Sequence, residues 1–192
     1  MLYVESYRNK ENLPDDAIII DTTSRSRNWT KGFSPFIIEG GHLYGEYYAK
    51  NVENGFQACK VYAPHDDNGK PNKDYFLWAQ RIWNDTYAQR YPMGKGVKPL
   101  YSWWDGQKLD YIEARKKIYV PIYGRGVAKT KAFGKLLYIY RTTNKDIYLV
   151  DFDGYNHIQM NKTLTDVLND PNMRMGHAFV IYSLLQKMKD GK

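Results

Sequence analysis

ENGFQACK, Glu53 to Lys60, is the stretch on which the reading of this chain turns. Read as a helix, it places Glu53, Gln57 and Lys60 at i, i+4 and i+7, so a carboxylate, an amide and an ammonium share one stripe. Val52, Phe56 and Cys59 repeat that spacing one position earlier and form an apolar row that faces a core. Three different polar functions at a core boundary describe a pocket wall, because desolvation strengthens charge and hydrogen-bond effects there. The same spacing also suits a solvated Glu–Lys pair on an open helix face.

Outward from this helix, expected to lie within Glu46 to Tyr62, the chain alternates short apolar runs with loops. Ala17 to Asp21 (AIIID) reads as a buried strand. Thr22 to Pro35 reads as a long loop, in which Arg25, Arg27 and Lys31 suit phosphate contacts and Trp29 or Phe33 suits stacking on a base. Phe36 to Tyr44 reads as a hairpin turning at Gly40 and Gly41. Lys73 to Arg90 reads as a helix that buries Phe76, Trp78, Ile82, Trp83 and Tyr87 and stops before Pro92. Lys95 lies between Gly94 and Gly96 in a loop where backbone amides and an ammonium together suit a phosphate; the spacing is not that of a Walker loop. Of Trp103 and Trp104, adjacent and so pointing different ways, one is expected in the core and one available.

Leu109 to Val127 reads as a long helix that Pro121 and Gly124 kink or break. Phe133 to Tyr140 suits a helix or a strand. Ile147 to Val150 reads as a buried strand delivering Asp151 and Asp153. Thr163 to Leu168 (TLTDVL) reads as a short capped helix, and Met175 to Lys189 as an amphipathic core helix. The fold class that follows is α+β, a mainly helical single domain over residues 1–192 with a small β-sheet.

A chain of 192 residues with 43% hydrophobic content is large enough for one core without metal or disulfide support. Its single cysteine, Cys59, sits on the apolar row and reads as a packed thiol rather than a nucleophile. No run is long enough to span a bilayer, and the charged start MLYVESYRNKENLP does not suit a signal peptide, so a cytoplasmic location is expected. His65 beside Asp66 and Asp67 reads as turn chemistry, and His42, His157 and His177 are scattered, so neither a metal nor another cofactor is expected. A net charge of +7 with 18 tyrosines and 5 tryptophans suits phosphate backbones and bases, and also suits many proteins that bind neither.

Glu53 followed four residues later by Gln57-Ala58, with Lys60 three beyond the Gln, resembles the signature helix of the NADAR superfamily, which holds the riboflavin-pathway N-glycosidase and ADP-ribosyl-guanine hydrolases. The resemblance continues in order over about residues 29 to 185. GFSPF (Gly32 to Phe36) with Gly40 and Gly41, Gly94-Lys95, YIEARKKIY (Tyr111 to Tyr119), LVDFDGY (Leu149 to Tyr155), and Asn172 with Gly176 each resemble a family segment. Asn54, Gly55 and Phe56 stand where the family has His-Tyr-Tyr, and Tyr111 stands where it has Trp, which marks a divergent branch.

What the resemblance implies is an N-glycosidase that removes ADP-ribose from guanine in nucleic acid, in an antitoxin or counter-defence role. Its partner would be an ADP-ribose-containing ligand, presented on ADP-ribosylated nucleic acid and not at a membrane. It implies Glu53, Lys60 and Asp151 as catalytic groups. Trp29, Lys31, Phe33, Ser34, Gln57, Lys95, Arg115 and Asp153 would bind substrate. Glu53 could stabilise the oxocarbenium-like state, bind ribose hydroxyls or activate water, one such positioned group being worth about 10²–10⁴ in rate. Lys60 could assist the leaving group, neutralise phosphate, or react as an amine with an opened ribose. Hydrolysis of a phosphoribosyl intermediate of the riboflavin pathway and noncatalytic binding of ADP-ribose or nucleic acid are the alternatives.

Overall fold

The structure, a computed structural model, describes residues 1–189. Its strands are β1 (Leu2–Ser6), β2 (Ile18–Asp21), β3 (Gly41–His42), β4 (Tyr48–Ala49), β5 (Lys60–Val61), β6 (Asp66–Asp67), β7 (Lys70–Pro71), β8 (Tyr101–Trp104), β9 (Gln107–Leu109) and β10 (Ile147–Asp151). Its α-helices are α1 (Val52–Gln57), α2 (Lys73–Trp83), α3 (Tyr111–Ala114), α4 (Val120–Val127), α5 (Lys131–Thr142), α6 (Leu164–Asn169) and α7 (His177–Lys189). The class is α+β, and the chain divides into two compact units, one of Met1–Ser34 with the chain from Val127 onward and one of Pro35–Gly126. Among the described residues no helix is long and apolar enough to cross a membrane.

In the first unit the apolar run Ile147–Val150 becomes the middle of a three-stranded parallel sheet of order β1-β10-β2. Both of its neighbours are parallel, which explains a nearly continuous apolar sequence without alternation. β2 was expected to be buried; it is instead an edge strand, with Ile19 exposed. β1, which the charged N-terminal segment did not suggest, pairs Leu2 to Ile147 and Val4 to Leu149. Helix α7 packs on β1 and β10 through Phe179, Ile181 and Leu185, all buried. α5 packs on the 3₁₀ turn Trp29–Phe33, where Asn28 caps a segment expected to have no regular structure. Gly32 is required there: a Cβ would come within 2.7 Å of the Ala132 Cβ. Phe133–Tyr140 resolves as helix, and Thr163 with Asp166 forms the capping box of α6.

In the second unit several expected boundaries shift. The hairpin turns at Leu43–Tyr47 rather than at Gly40-Gly41: Leu43 N–H donates to Tyr47 O at 2.9 Å, between β3 and β4. α2 stops at Trp83, not Arg90. Its buried side uses Tyr75 where Phe76 was expected, and Tyr87 lies beyond it, 80% exposed. β5 pairs with β8 and β8 with β9, and both Trp103 and Trp104 end half-buried, Trp104 against Tyr44 at 4.8 Å between ring centroids. From Tyr111 to Val127 the helix runs through Pro121 unbroken by widening into a π-helical turn at Arg115–Tyr119. Proline cannot donate to the ladder, and the looser turn just before it absorbs the missing bond.

Candidate active site

Helix α1 is only six residues long, so the expected helical stripe ends at Gln57. Ala58 caps it, and the backbone then turns into β5, because Trp103 N–H donates to Cys59 O at 2.7 Å and Lys60 pairs with Ser102. Lys60 is therefore a strand residue, a correction to its expected place on the helix. The three side chains still meet. Gln57 Nε2 donates to Glu53 Oε1 at 3.0 Å, and Lys60 Nζ donates to Gln57 Oε1 at 2.7 Å. The amide's two ends have different jobs, so this pair of bonds fixes its orientation.

Burial decides what the row can do. Glu53 is 7% exposed, which excludes the open-surface ion pair as its setting. Its own N–H donates to Pro35 O at 3.1 Å, and Val52 N–H to Ile38 O at 2.9 Å, so Pro35 and Ile38 supply acceptors to the first turn of α1. Lys60 lies over the Phe56 ring at 4.8 Å, and Phe56 meets Tyr119 at 5.1 Å. Burial pushes the Lys60 ammonium below the ordinary lysine range, while the Glu53 carboxylate pulls it back up. An amine held this way is closer to a usable base or nucleophile than a solvated lysine. Cys59 is fully buried, donates to Gly55 O at 3.0 Å and has its thiol pushed up by burial, in line with a packed thiol.

Arg115 stands on the π turn, which packs against α1; it is 3% exposed and lies over the Tyr111 ring at 4.8 Å. A π turn beside a site re-aims side chains that a regular helix would send elsewhere. Lys95 sits in an exposed loop between Gly94 and Gly96, whose φ values of 102° and 89° need glycine.

Asn54 and Gly55, which stand where the NADAR-like pattern has other residues, have local roles. Asn54 is buried, takes Gln89 N–H on Oδ1 at 2.7 Å and donates to Asp85 O at 3.0 Å and Tyr87 O at 2.8 Å. It ties the segment after α2 to the helix that carries Glu53. At Gly55 a Cβ would come within 3.2 Å of Ala49 Cβ and 3.4 Å of Leu43. Nothing in the sequence signalled Asn54, since its partners lie more than 30 positions away. Asn51, whose side chain caps α1 at Asn54 N–H (2.8 Å), was also missed, though an Asn just before a helical run is the signal of an N-cap.

The other expected site residues belong to the first unit. Phe33 is fully buried with its ring edge on Trp29 at 5.8 Å, so it packs there rather than offering a stacking face; Ser34 is buried and Lys31 exposed. Asp151, expected to be catalytic, is 3% exposed and serves α7: its Oδ2 accepts Ala178 N–H at 3.1 Å and lies 3.3 Å from His177 Nδ1. His177 Nε2 in turn donates to Thr22 O at 2.7 Å. Asp153 is half-buried, 3.7 Å from Arg174.

The chain belongs to DUF6939, a family of unknown function, whose model matches residues 5–180. No curated protein and no solved structure matches it.

Proposed function

We propose that this member of the DUF6939 family is an N-glycosidase that releases ADP-ribose from an ADP-ribosylated base, with guanine in nucleic acid as the substrate. The observation that carries the reading is the row in which half-buried Gln57 holds buried Glu53 on one side and half-buried Lys60 on the other. The resemblance of ENGFQACK and the ordered segments around it to NADAR enzymes supports the substrate class.

In this reading the bond between the anomeric carbon and the base nitrogen breaks with its electron pair going to the base. The oxygen of a water then bonds to the anomeric carbon, the water's proton goes to Glu53, the base takes its proton from Lys60, and the proton on Glu53 returns to Lys60 through solvent to close the cycle. Glu53 faces the positive charge that develops on the sugar and takes the proton from water. Gln57 keeps the carboxylate in one orientation. Lys60, with its lowered proton affinity, gives a proton to the departing base more readily than a solvated lysine would. Asp151 holds the start of α7 in the first unit.

The test is incubation with a guanine-ADP-ribosylated oligonucleotide, measuring free ADP-ribose. Release by the wild type that Glu53→Ala lowers by about 10²-fold or more is expected. No release by either protein overturns the reading, and release of base from a phosphoribosyl-pyrimidine instead would move it to the riboflavin-pathway alternative.

A further inference from the structure

A cleft of about 460 Å³ is built wholly from the first unit, lined by β2, the loop from Arg25 to Thr30, Lys10 and Ile139. Its volume lies within the roughly 300–1,000 Å³ of small-ligand sites. The strand β2 borders it with an unpaired edge. Ile18 N–H donates to Asp146 O and Thr22 N–H to Val150 O, both toward β10, so alternation turns the N–H and C=O of Ile19 outward.

The loop is held rigidly against that strand. Ser26 and Thr30 share a hydroxyl bond of 2.6 Å, and Thr30 Oγ1 donates to Asp21 O at 2.6 Å. Asp21 Oδ1 takes the N–H and hydroxyl of Thr23 at 3.0 and 2.7 Å, while among the described residues Oδ2 meets only Lys10, at 3.6 Å. Trp29 is fixed by Lys135 over its ring at 4.6 Å and by the edge of Phe33. Among the described residues neither Arg25 nor Arg27 has an acidic partner; Arg25 lies over Phe152 at 5.1 Å. Two uncompensated guanidiniums, one half-used carboxylate, an indole and an isoleucine wall with a bare peptide group thus share one cleft.

We propose that this cleft binds a nucleoside phosphate. The guanidiniums of Arg25 and Arg27 take the phosphate in charge-assisted hydrogen bonds. Asp21 Oδ2 accepts from ribose hydroxyls, as a carboxylate ending a parallel strand does in nucleotide-binding sheets. Trp29 and the isoleucines cover the base, and the Ile19 peptide group pairs with its polar edge. The proposal concerns binding without turnover, so it stands or falls separately from the glycosidase reading.

Calorimetry with AMP, adenosine and inorganic phosphate tests it. AMP is expected to bind saturably and more tightly than either fragment. Arg25→Ala/Arg27→Ala, at exposed positions that leave folding intact, is expected to weaken AMP about tenfold or more and leave adenosine unchanged. Asp21→Asn is expected to weaken AMP and adenosine but not phosphate. Competition by a 5′-phosphorylated oligonucleotide would assign the site to a nucleic-acid end, and lack of competition to a free nucleotide; either agrees with the proposal. No saturable AMP binding, AMP no tighter than phosphate, or AMP binding indifferent to the double substitution overturns it.

Discussion

Lys60 Nζ lies 2.7 Å from the side-chain oxygen of Gln57, although Gln57 ends a helix and Lys60 opens a strand. The contact spans three residues and a change of secondary structure, so it depends on β8 drawing the backbone out of the helix at Cys59. Glu53, Gln57 and Lys60 form one hydrogen-bonded unit whose middle member never needs to touch a substrate.

Replacing Gln57 tests that coupling. Gln57→Leu removes both bonds, each worth about 0.5–1.5 kcal/mol, and is expected to lower kcat by about tenfold with KM little changed. Gln57→Glu sets a second carboxylate beside Glu53. A like charge raises a carboxyl pKa, so the acid limb of the kcat/KM profile on the ADP-ribosylated substrate should move to higher pH. An unmoved limb would show that Gln57 does not hold the reacting carboxylate.

The partly buried Lys60 has a stability consequence of definite sign. Burial lowers its folded pKa below the unfolded value of 10.5, so between those two values the unfolded chain binds more protons. Stability is then expected to rise with pH across that window. Lys60→Met removes the cost of burying the charge; it should flatten this rise and raise Tm at neutral pH, about 2–4 °C per kcal/mol recovered. A Tm lower than wild type at neutral pH would mean that the Gln57 bond and the Phe56 contact outweigh the cost of burial.

Asn54 anchors the chain after α2 through three hydrogen bonds. Asn54→Ala leaves the amide of Gln89 and the carbonyls of Asp85 and Tyr87 without it, costing about 1–3 kcal/mol. Urea denaturation should show that loss, and limited proteolysis should cut sooner between residues 85 and 100. Equal cleavage of both proteins would show that the segment is held by other contacts.

The start of α7 is tightly built around Asp151. A Cβ on Gly176 would lie 2.2 Å from Asp151 Oδ2 and 2.8 Å from its Cγ. Gly176→Ala is therefore expected to destabilise by about 1–3 kcal/mol through overpacking. Asp151→Ala loses the cap on Ala178, a change worth about 0.5–2 kcal/mol. Thermal unfolding of the single and double variants checks the shared cause: the double variant should lose less than the sum, since the clash needs the carboxylate.

Local sequence determined which side chains keep company. The unbroken apolar run of Ile147–Val150 specified a strand covered on both sides, Thr163 and Asp166 specified the start of α6, and the apolar row placed Cys59 in the core. Of the polar row, the pairing of Glu53 with Gln57 was legible from their i, i+4 spacing within α1, while Lys60 joins them from β5 rather than from the helix. Tertiary structure alone decided where elements stop. α1 ends early because β8 captures its next backbone groups, and Asn54 holds the segment after α2; the Glu53 and Gln57 spacing could not announce either partner. Backbone donors and acceptors go to whichever partner the whole chain brings close, and that competition is invisible to any pattern read along a few residues.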